Sequence, residues 1–430
     1  MTLNKNKKYD VVIVGCGVSG LYCALNLPSD KSVLIITKSA AEESDSFLAQ
    51  GGICVLHDEG DYTSFFEDTM RAGHYENNKS SVNIMIRSSR EVINDLVRYG
   101  ADFERNADDF MYTKEGAHSR ARILYHKDQT GKEITSKLLE AVKRLPNVEL
   151  LEYTAMVDII FEGDEAKGII CKKGEDEYFA IEADYTVLAT GGVGGAFRHS
   201  TNFPHLTGDS IALAMKYGIE LENIDYVQIH PTTLYVGRGG DRKFLISESV
   251  RGEGAILLNK NGERFVDELL PRDTVANAIF AQMSKDNSTN VYLSMENIPT
   301  EEIVNHFEHI YKHCLDAGFD VTKEPIPVVP AQHYFMGGIK VDEYSATNKK
   351  RLFAVGETAC NGVHGRNRLA SNSLLESLVF ARRAARRIAE CYTPAASVGE
   401  IVINEKQYAN FEAENRVSVR AAIEEEKKKR

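Results

Sequence analysis

A chain of 430 residues with 51 Lys and Arg against 63 Asp and Glu has a net charge of −12, which argues against a nucleic-acid or anionic-membrane partner as its main role, since either wants a basic face. At 43% hydrophobic and 27% charged residues the composition is that of an ordinary folded protein, and the length suits roughly two to three domains. The cysteines, Cys16, Cys23, Cys54, Cys171, Cys314, Cys360 and Cys391, form neither a CxxC pair nor a metal-ligand spacing, so reduced thiols, a cytoplasmic setting and no metal are expected.

The opening residues MTLNKNKKYDVVIVGCGVSGLYCALNL place basic residues before an apolar run, the outline of a secretory signal. Glycines and Ser19 interrupt that run, and the roughly 20 consecutive apolar residues of a membrane helix occur nowhere. Residues 11–14 predict a short strand, 15–20 a tight turn, the stretch to Leu27 a helix, and 32–37 a second strand. A GxGxxG pattern is weak evidence alone. At a strand–turn–helix junction it predicts a dinucleotide site, with Gly15, Gly17 and Gly20 letting the backbone approach a pyrophosphate at the helix N-terminus. An ordinary NAD site has an acid at the end of the second strand, where Thr37 and Lys38 stand here. Lys38 suits a phosphate or ribose edge and a solvated surface equally well.

Residues 148–190 read as several short strands joined by EGDEAK and KKGEDE turns, a β-meander inserted before a strand returns to the sheet. From Asp225 to Gln332, turns, short strands, two helical patterns at 273–285 and 301–317, and the prolines of EPIPVVP predict an inserted second domain. Residues 352–355 predict another buried strand ending at Gly356-Glu357, so the dinucleotide domain is split in sequence. At Ser371-Asn372-Ser373 a helix N-cap precedes Leu374, Leu378, Ala381, Ala385 and Ile388 on one face and Arg382, Arg383, Arg386 and Arg387 on the other. The start of that helix offers unpaired N–H groups to an electron-rich carbonyl or an anion, a plain cap being the alternative. Past Pro394 the sequence is charged and helix-prone, read as a solvated end.

The pieces GCGVSG (15–20), SFLAQGG (46–52), EGAHSRARI (115–123), LATGG (188–192), TGD (207–209), QIHPT (228–232), SESVRGEGA (247–255), PRD (271–273), AQHYFMGG (331–338), AVGE (354–357) and HGRNRLASNSLLES (364–377) run nearly end to end. In this order they resemble the flavoprotein family of succinate dehydrogenase and fumarate reductase, and within it the branch that oxidises L-aspartate. The resemblance implies an α/β fold: a Rossmann-like FAD-binding domain with a β-meander, split over 1–224 and 333–393, an inserted α+β capping domain over 225–332, and a short helical C-terminal remnant over 394–430. It implies FAD held by Gly15, Gly17, Val18, Ser19, Gly20, Lys38, Ser46, Phe47, Ala49, Gln50, Gly51, Gly52, the backbone near Val157, Asp209, Glu357, Ser373 and Leu374. His230, Ser247, Glu248, Arg272, His333 and Arg368 match the family's substrate cage, and Glu115 matches the aspartate branch. The family often has threonine where Ser247 stands, and the hydroxyl is kept.

Two positions separate the branches. Respiratory members attach FAD to a histidine five residues before the glutamine of AQGG, and Asp45 there implies non-covalent FAD. They also carry a neutral residue where Glu115 sits, whereas a carboxylate can pair with the ammonium of an amino acid. Without the motifs, Glu115 reads as a solvated loop residue, His230 and His333 as structural histidines, and Arg272 as a surface ion pair with Asp273. The implied enzyme is an FAD-dependent oxidoreductase acting on CH–NH2, converting L-aspartate to iminoaspartate. Arg368, His230 and His333 would hold the two carboxylates and Ser247 would add a hydrogen bond. Arg272 beside Glu248 is a proton shuttle or an electrostatic clamp. Oxygen or fumarate accepts the electrons, and the product passes to quinolinate synthase in NAD biosynthesis. The alternative is a fumarate reductase or succinate dehydrogenase flavoprotein subunit with an iron-sulfur partner, against which Asp45 and Glu115 speak. A non-catalytic FAD-binding redox sensor is a further alternative, and it gives no reason for the charged cage. Longer members of the aspartate branch carry a three-helix bundle where about one helix's worth of sequence follows here.

Overall fold

The structure is a computed structural model that describes residues 7–107, 109–175, 177–237, 242–399 and 401–430. Residues 1–6, which include Lys5 of the basic start, Asp176 of the KKGEDE turn and residues 238–241 of the expected second domain lie outside them.

Tyr9–Val14 forms the centre of the main sheet because its β-branched residues are covered on both faces. Val11 and Ile13 feed one apolar core, while Val12 and Val14 feed the other. It pairs in parallel with Val33–Ile36, which pairs onward with Val148–Leu151. On its other side lies Glu177–Leu188, also parallel. Leu352–Ala354 then adds in parallel beside Thr186, Val187 and Leu188. The second strand and the strand near residue 352 therefore stand where periodicity put them, one residue shorter at the ends.

The meander differs from expectation. Its strands Thr154–Glu162, Glu165–Lys173 and Glu177–Leu188 are 9, 9 and 12 residues long, and the third is itself the strand that enters the parallel sheet. Burial shows why one strand serves both parts. Phe179 and Ile181 alternate with more exposed neighbours where one face meets solvent, and from Ala183 onward every residue is buried between two layers.

Over this sheet lies a second layer of antiparallel strands in the order Val227–Leu234, Ile326–Phe335, Val291–Ser294 and Ile256–Leu258. Helix Arg272–Asp286 packs on it, and Val250, Leu257, Ile279, Leu293 and Val328 give it a core of its own. The strand Ile326–Phe335 carries both Gln332 and His333, so chain continuity ties the two layers together. The helical pattern expected over 301–317 is two helices, Thr300–Asn305 and Glu308–Asp316. The break at His306 and Phe307 buries the Phe307 ring in the core and frees the Ile310 N–H, which donates to Asp128 of the other layer at 2.8 Å.

The tail also departs from expectation. Phe411–Lys429 is a docked helix, with Val419 and Ile423 fully buried in the second core. Those two residues, four apart in a charged stretch, make the narrow apolar stripe that a composition-based reading passes over. Asn415 donates to Asp209, Arg416 to the Pro204 carbonyl, and Arg430 pairs with Asp225 at 3.0 Å. Among the described residues, no helix is long and apolar enough to cross a membrane.

Candidate active site

A cavity of about 540 Å³ runs between the layers, from the glycine turn after Tyr9–Val14 to the start of helix Asn372–Glu390. The turn is tight by necessity. Gly15 has φ +118°, and a Cβ there would lie 2.0 Å from the Ala189 carbonyl oxygen, while one at Gly20 would lie 2.1 Å from that of Gly15. Gly17 precedes helix Val18–Asn26 with no side-chain cap, and the Val18 N–H donates to Ser46 Oγ at 3.1 Å. The helix start thus faces the cavity with short backbone and hydroxyl groups only.

Gly15, Gly17, Val18, Ser19, Lys38, Ser46, Phe47, Ala49, Gln50, Gly51, Gly52, Asp209, Glu357, Ser373 and Leu374 all line this cavity. Two expected residues do not. Gly20 packs one turn further into the helix, and the Val157 side chain is buried with Ile160, Ile170 and Tyr408 while Thr154 and Met156 of the same strand reach the wall. Lys38 proves not to be a solvated lysine. Its ammonium donates to Asp209 (2.9 Å), Thr207 (3.0 Å) and the His205 carbonyl (2.9 Å), and Glu412 of the tail helix sits 3.0 Å away. Buried polar atoms on the wall, Ser44 Oγ, Asp45 Oδ2 and Gln50 Oε1, have no partner among the described residues. A long cavity with a glycine turn at one helix start and unpartnered polar atoms along its wall fits a dinucleotide such as FAD. Asp45 Oδ1 accepts from the Phe203 N–H, and burial lifts its carboxyl above the usual range. Glu357, which accepts from the Phe335 N–H at 2.9 Å, is lifted by burial and by Asp45.

The other end of the cavity gathers the expected cage, and His230, Ser247, Glu248, Arg272, His333, Arg368 and Glu115 all line it. Arg272, the first residue of its helix, is buried rather than paired with Asp273, which instead meets His74. Its Nε donates to Glu248 Oε2 at 2.5 Å and its Nη1 to Gln228 Oε1 at 2.9 Å. Gln228 in turn donates to Asn367 and to the Arg368 carbonyl, which binds the second layer to the corner that carries Arg368. Arg368 lies 4.4 Å over the Tyr334 ring and donates Nη1 to Ser373, leaving Nε without a partner among the described residues. The His230 and His333 rings meet edge to face at 5.2 Å. His333 Nδ1 contacts Thr201 Oγ1 at 2.7 Å, and His230 Nε2 is buried without a partner among the described residues.

Glu115 is buried, against the solvated-loop alternative. Its Oε1 accepts from Ser249 Oγ at 2.8 Å and its Oε2 from Ser371 Oγ at 2.5 Å. This corrects the expected cap at Ser371. That residue has φ +60° and makes no side-chain bond to its own helix; its hydroxyl accepts from the Gly52 N–H and donates to Glu115. Ser247 Oγ accepts from the Ser249 N–H and donates to Ser249 Oγ.

Electrostatics follows from enclosure. Burial, and then Arg272, pushes both cage histidines well below their ordinary value, so they are neutral at neutral pH. Burial and Arg272 lower the Arg368 guanidinium to about 10. Burial would raise Glu248, but Arg272 and Arg251 hold it below the usual carboxylate range. Glu115 is raised by burial and by Glu248, with Ser371 opposing. The cage thus presents cations with free donors to an anion, and a carboxylate at one side. Sequence reasoning missed Arg251, which is fully buried with Nη2 3.4 Å from Glu248, and Gln228. The i,i+3 spacing of Glu248 and Arg251, and the two-residue step from Gln228 to His230 along one strand face, were the signals.

The family profile described as "FAD binding domain" matches residues 10–374. The chain is similar to the L-aspartate oxidase of Clostridium perfringens, at 51% identity over 88% of this chain and 86% of that one. It is similar to the L-aspartate oxidase of Clostridium acetobutylicum at 49% identity, over 89% of this chain and 88% of that one. Among solved structures, a mutant E. coli quinol fumarate reductase superposes with a TM-score of 0.85 at 29% identity, covering 95% of this chain and 74% of that one.

Proposed function

The chain belongs to the FAD-binding flavoprotein family of succinate dehydrogenase and fumarate reductase, and from that premise we propose that it oxidises L-aspartate to iminoaspartate. The observation that carries the reading is Glu115, a buried carboxylate on the same cavity wall as Arg272 and Arg368. A dicarboxylate needs cations, and an α-ammonium needs an anion beside them.

FAD, held non-covalently by the Gly15–Gly20 turn, Lys38 with Asp209, the Ser46–Gly52 segment, Glu357 and the Ser373–Leu374 corner, supplies the hydride acceptor when bound. The residues do the rest. Arg368 Nε and His230 Nε2, both without partners among the described residues, receive substrate carboxylate oxygens, with His333 beside them and the Ser247 hydroxyl turning from Ser249 to add a bond. Fixing both ends of a four-carbon diacid orients its α-carbon and removes much of the entropic barrier. Arg272 holds the substrate carboxylate electrostatically, and the Glu248 carboxylate bonded to it takes up the departing proton. Closure by the second layer, residues 225–332, over a flavin part at 1–224 and 333–393 excludes water, and residues 394–430 brace the nucleotide end.

Oxygen or fumarate takes the electrons, fumarate fitting the same cage because it is also a four-carbon dicarboxylate. Iminoaspartate passes to quinolinate synthase for NAD synthesis, in the cytoplasm, where free thiols such as the seven found here stay reduced. The test is anaerobic mixing of the FAD-loaded protein with L-aspartate and, separately, with succinate. L-Aspartate is expected to bleach the flavin absorbance. Bleaching by succinate alone would overturn the reading in favour of a respiratory flavoprotein subunit.

A further inference from the structure

Glu115 reaches the cage from a loop, and nothing in its own segment fixes where its carboxylate points. Two serines from other segments do. Ser249 comes from helix Glu248–Gly252 of the second layer and Ser371 from the corner before Asn372–Glu390, and each gives its hydroxyl to a different oxygen of Glu115. The direction of both bonds is set by what each serine accepts. Ser371 Oγ takes the Gly52 N–H at 3.2 Å and Ser249 Oγ takes the Ser247 hydroxyl at 3.1 Å, so each serine proton turns toward the carboxylate. The backbone is held as well: the Ser371 carbonyl accepts from the Cys54 N–H at 3.0 Å in a left-handed conformation, and a Cβ at Gly51 would come within 2.5 Å of Glu115 Oε1.

We propose that Ser249 and Ser371 are positioning residues for Glu115, and that they set the preference for an amino dicarboxylate over the same diacid without nitrogen. The inference rests on the proposed oxidation of L-aspartate. A donor on each oxygen favours the charged carboxylate against the burial and the Glu248 charge that raise its pKa, and a charged oxygen is what an ammonium requires. The charged groups that face Glu115 are Glu248, which favours protonation, and Arg272 and Arg251, which oppose it; the buried Cys54 thiol lies on the remaining side. With that balance, one lost serine donor shifts Glu115 further toward its neutral form. Fumarate has no ammonium and is indifferent to the change.

The experiment compares FAD-loaded wild type, Ser249→Ala and Ser249→Thr in L-aspartate oxidation and in fumarate reduction by a reduced viologen dye, across pH. Ser249→Ala is the cleaner probe because Ser371 also holds Gly52. In Ser249→Ala, kcat/KM for L-aspartate is expected to fall about tenfold with its acid limb displaced upward by about one pH unit, while fumarate reduction stays within about twofold. Ser249→Thr, which keeps the hydroxyl, is expected to restore both. Infrared spectra of the FAD-free chains give a readout apart from turnover: a protonated-carboxyl band, absent in Glu115→Gln, is expected to persist to higher pH in Ser249→Ala than in wild type. Equal loss of both activities, an unmoved acid limb or an unmoved band would overturn the inference. A wild type inactive toward L-aspartate would overturn the proposed function and this inference with it, whereas an active wild type with an indifferent Ser249→Ala would overturn the inference alone.

Discussion

Replacing Arg368 by methionine is expected to destroy activity and strengthen the fold at once. The guanidinium is buried, stacked on Tyr334 and bonded to Ser373, and its Nε has no partner among the described residues. Burial lowers its pKa to about 10. The folded value lies below the unfolded one, so the charge costs stability at every pH below about 10, and the cost fades as pH rises above that. The lowering corresponds to roughly 3 kcal/mol at neutral pH. Against it stand about 1–2 kcal/mol of stacking on Tyr334 and about 1 kcal/mol for the Ser373 bond. Arg368→Met keeps a long unbranched chain without the charge, so a net gain of roughly 1 kcal/mol is expected. Two charge-assisted bonds to a carboxylate are worth about 3–6 kcal/mol, so kcat/KM for L-aspartate should drop by at least about a hundredfold. Urea unfolding of the FAD-loaded, substrate-free protein and steady-state kinetics read the two effects. A variant destabilised by about 2 kcal/mol or more, as after truncation of a packed core residue, would show that the guanidinium is already satisfied and the reasoning wrong.

Glu376, buried beside Asn361, is raised from 4.5 to about 7 by burial. Its stabilising neutral form is fully present below pH 4.5 and lost by about pH 7, so Glu376→Gln should gain a relative advantage that grows to roughly 3 kcal/mol by pH 8; a pH-independent difference in urea curves would contradict this. Ile423→Ala should cost about 2–5 kcal/mol of local packing, making the tail helix sensitive to trypsin and weakening FAD binding as Glu412 leaves Lys38, with unchanged FAD affinity as the contrary result. Acid precipitation should leave the yellow colour in the supernatant, because Asp45 occupies the attachment position; a yellow pellet would refute non-covalent binding.

What could be read from the residues was local. The glycine turn and the flanking strands follow from sterics and periodicity within thirty residues, and they stand where expected. The cage is assembled from segments as distant as Glu115 and Arg368, so its membership was legible through resemblance and its geometry was not. Ser249 drew no reading of its own inside SESVRGEGA and Ser371 was expected as part of a helix cap, because a long-range bond leaves no trace in spacing. The break at His306 depends on a donor facing Asp128 across the layers, and the tail docks through only Val419 and Ile423 in a stretch otherwise rich in charge. In each case a tertiary partner overrode a correct local tendency.

The strand Leu352–Ala354 has a consequence for how the molecule comes off the ribosome. Its partners Thr186, Val187 and Leu188 emerge 166 residues earlier, and at about 5–20 residues per second that interval lasts roughly 8 to 33 seconds. Throughout it an apolar parallel edge hangs open, while the whole second layer is being made beside it. Nascent-chain quality control, rather than thermodynamic stability, is therefore the stage at which substitutions in this edge should first be felt.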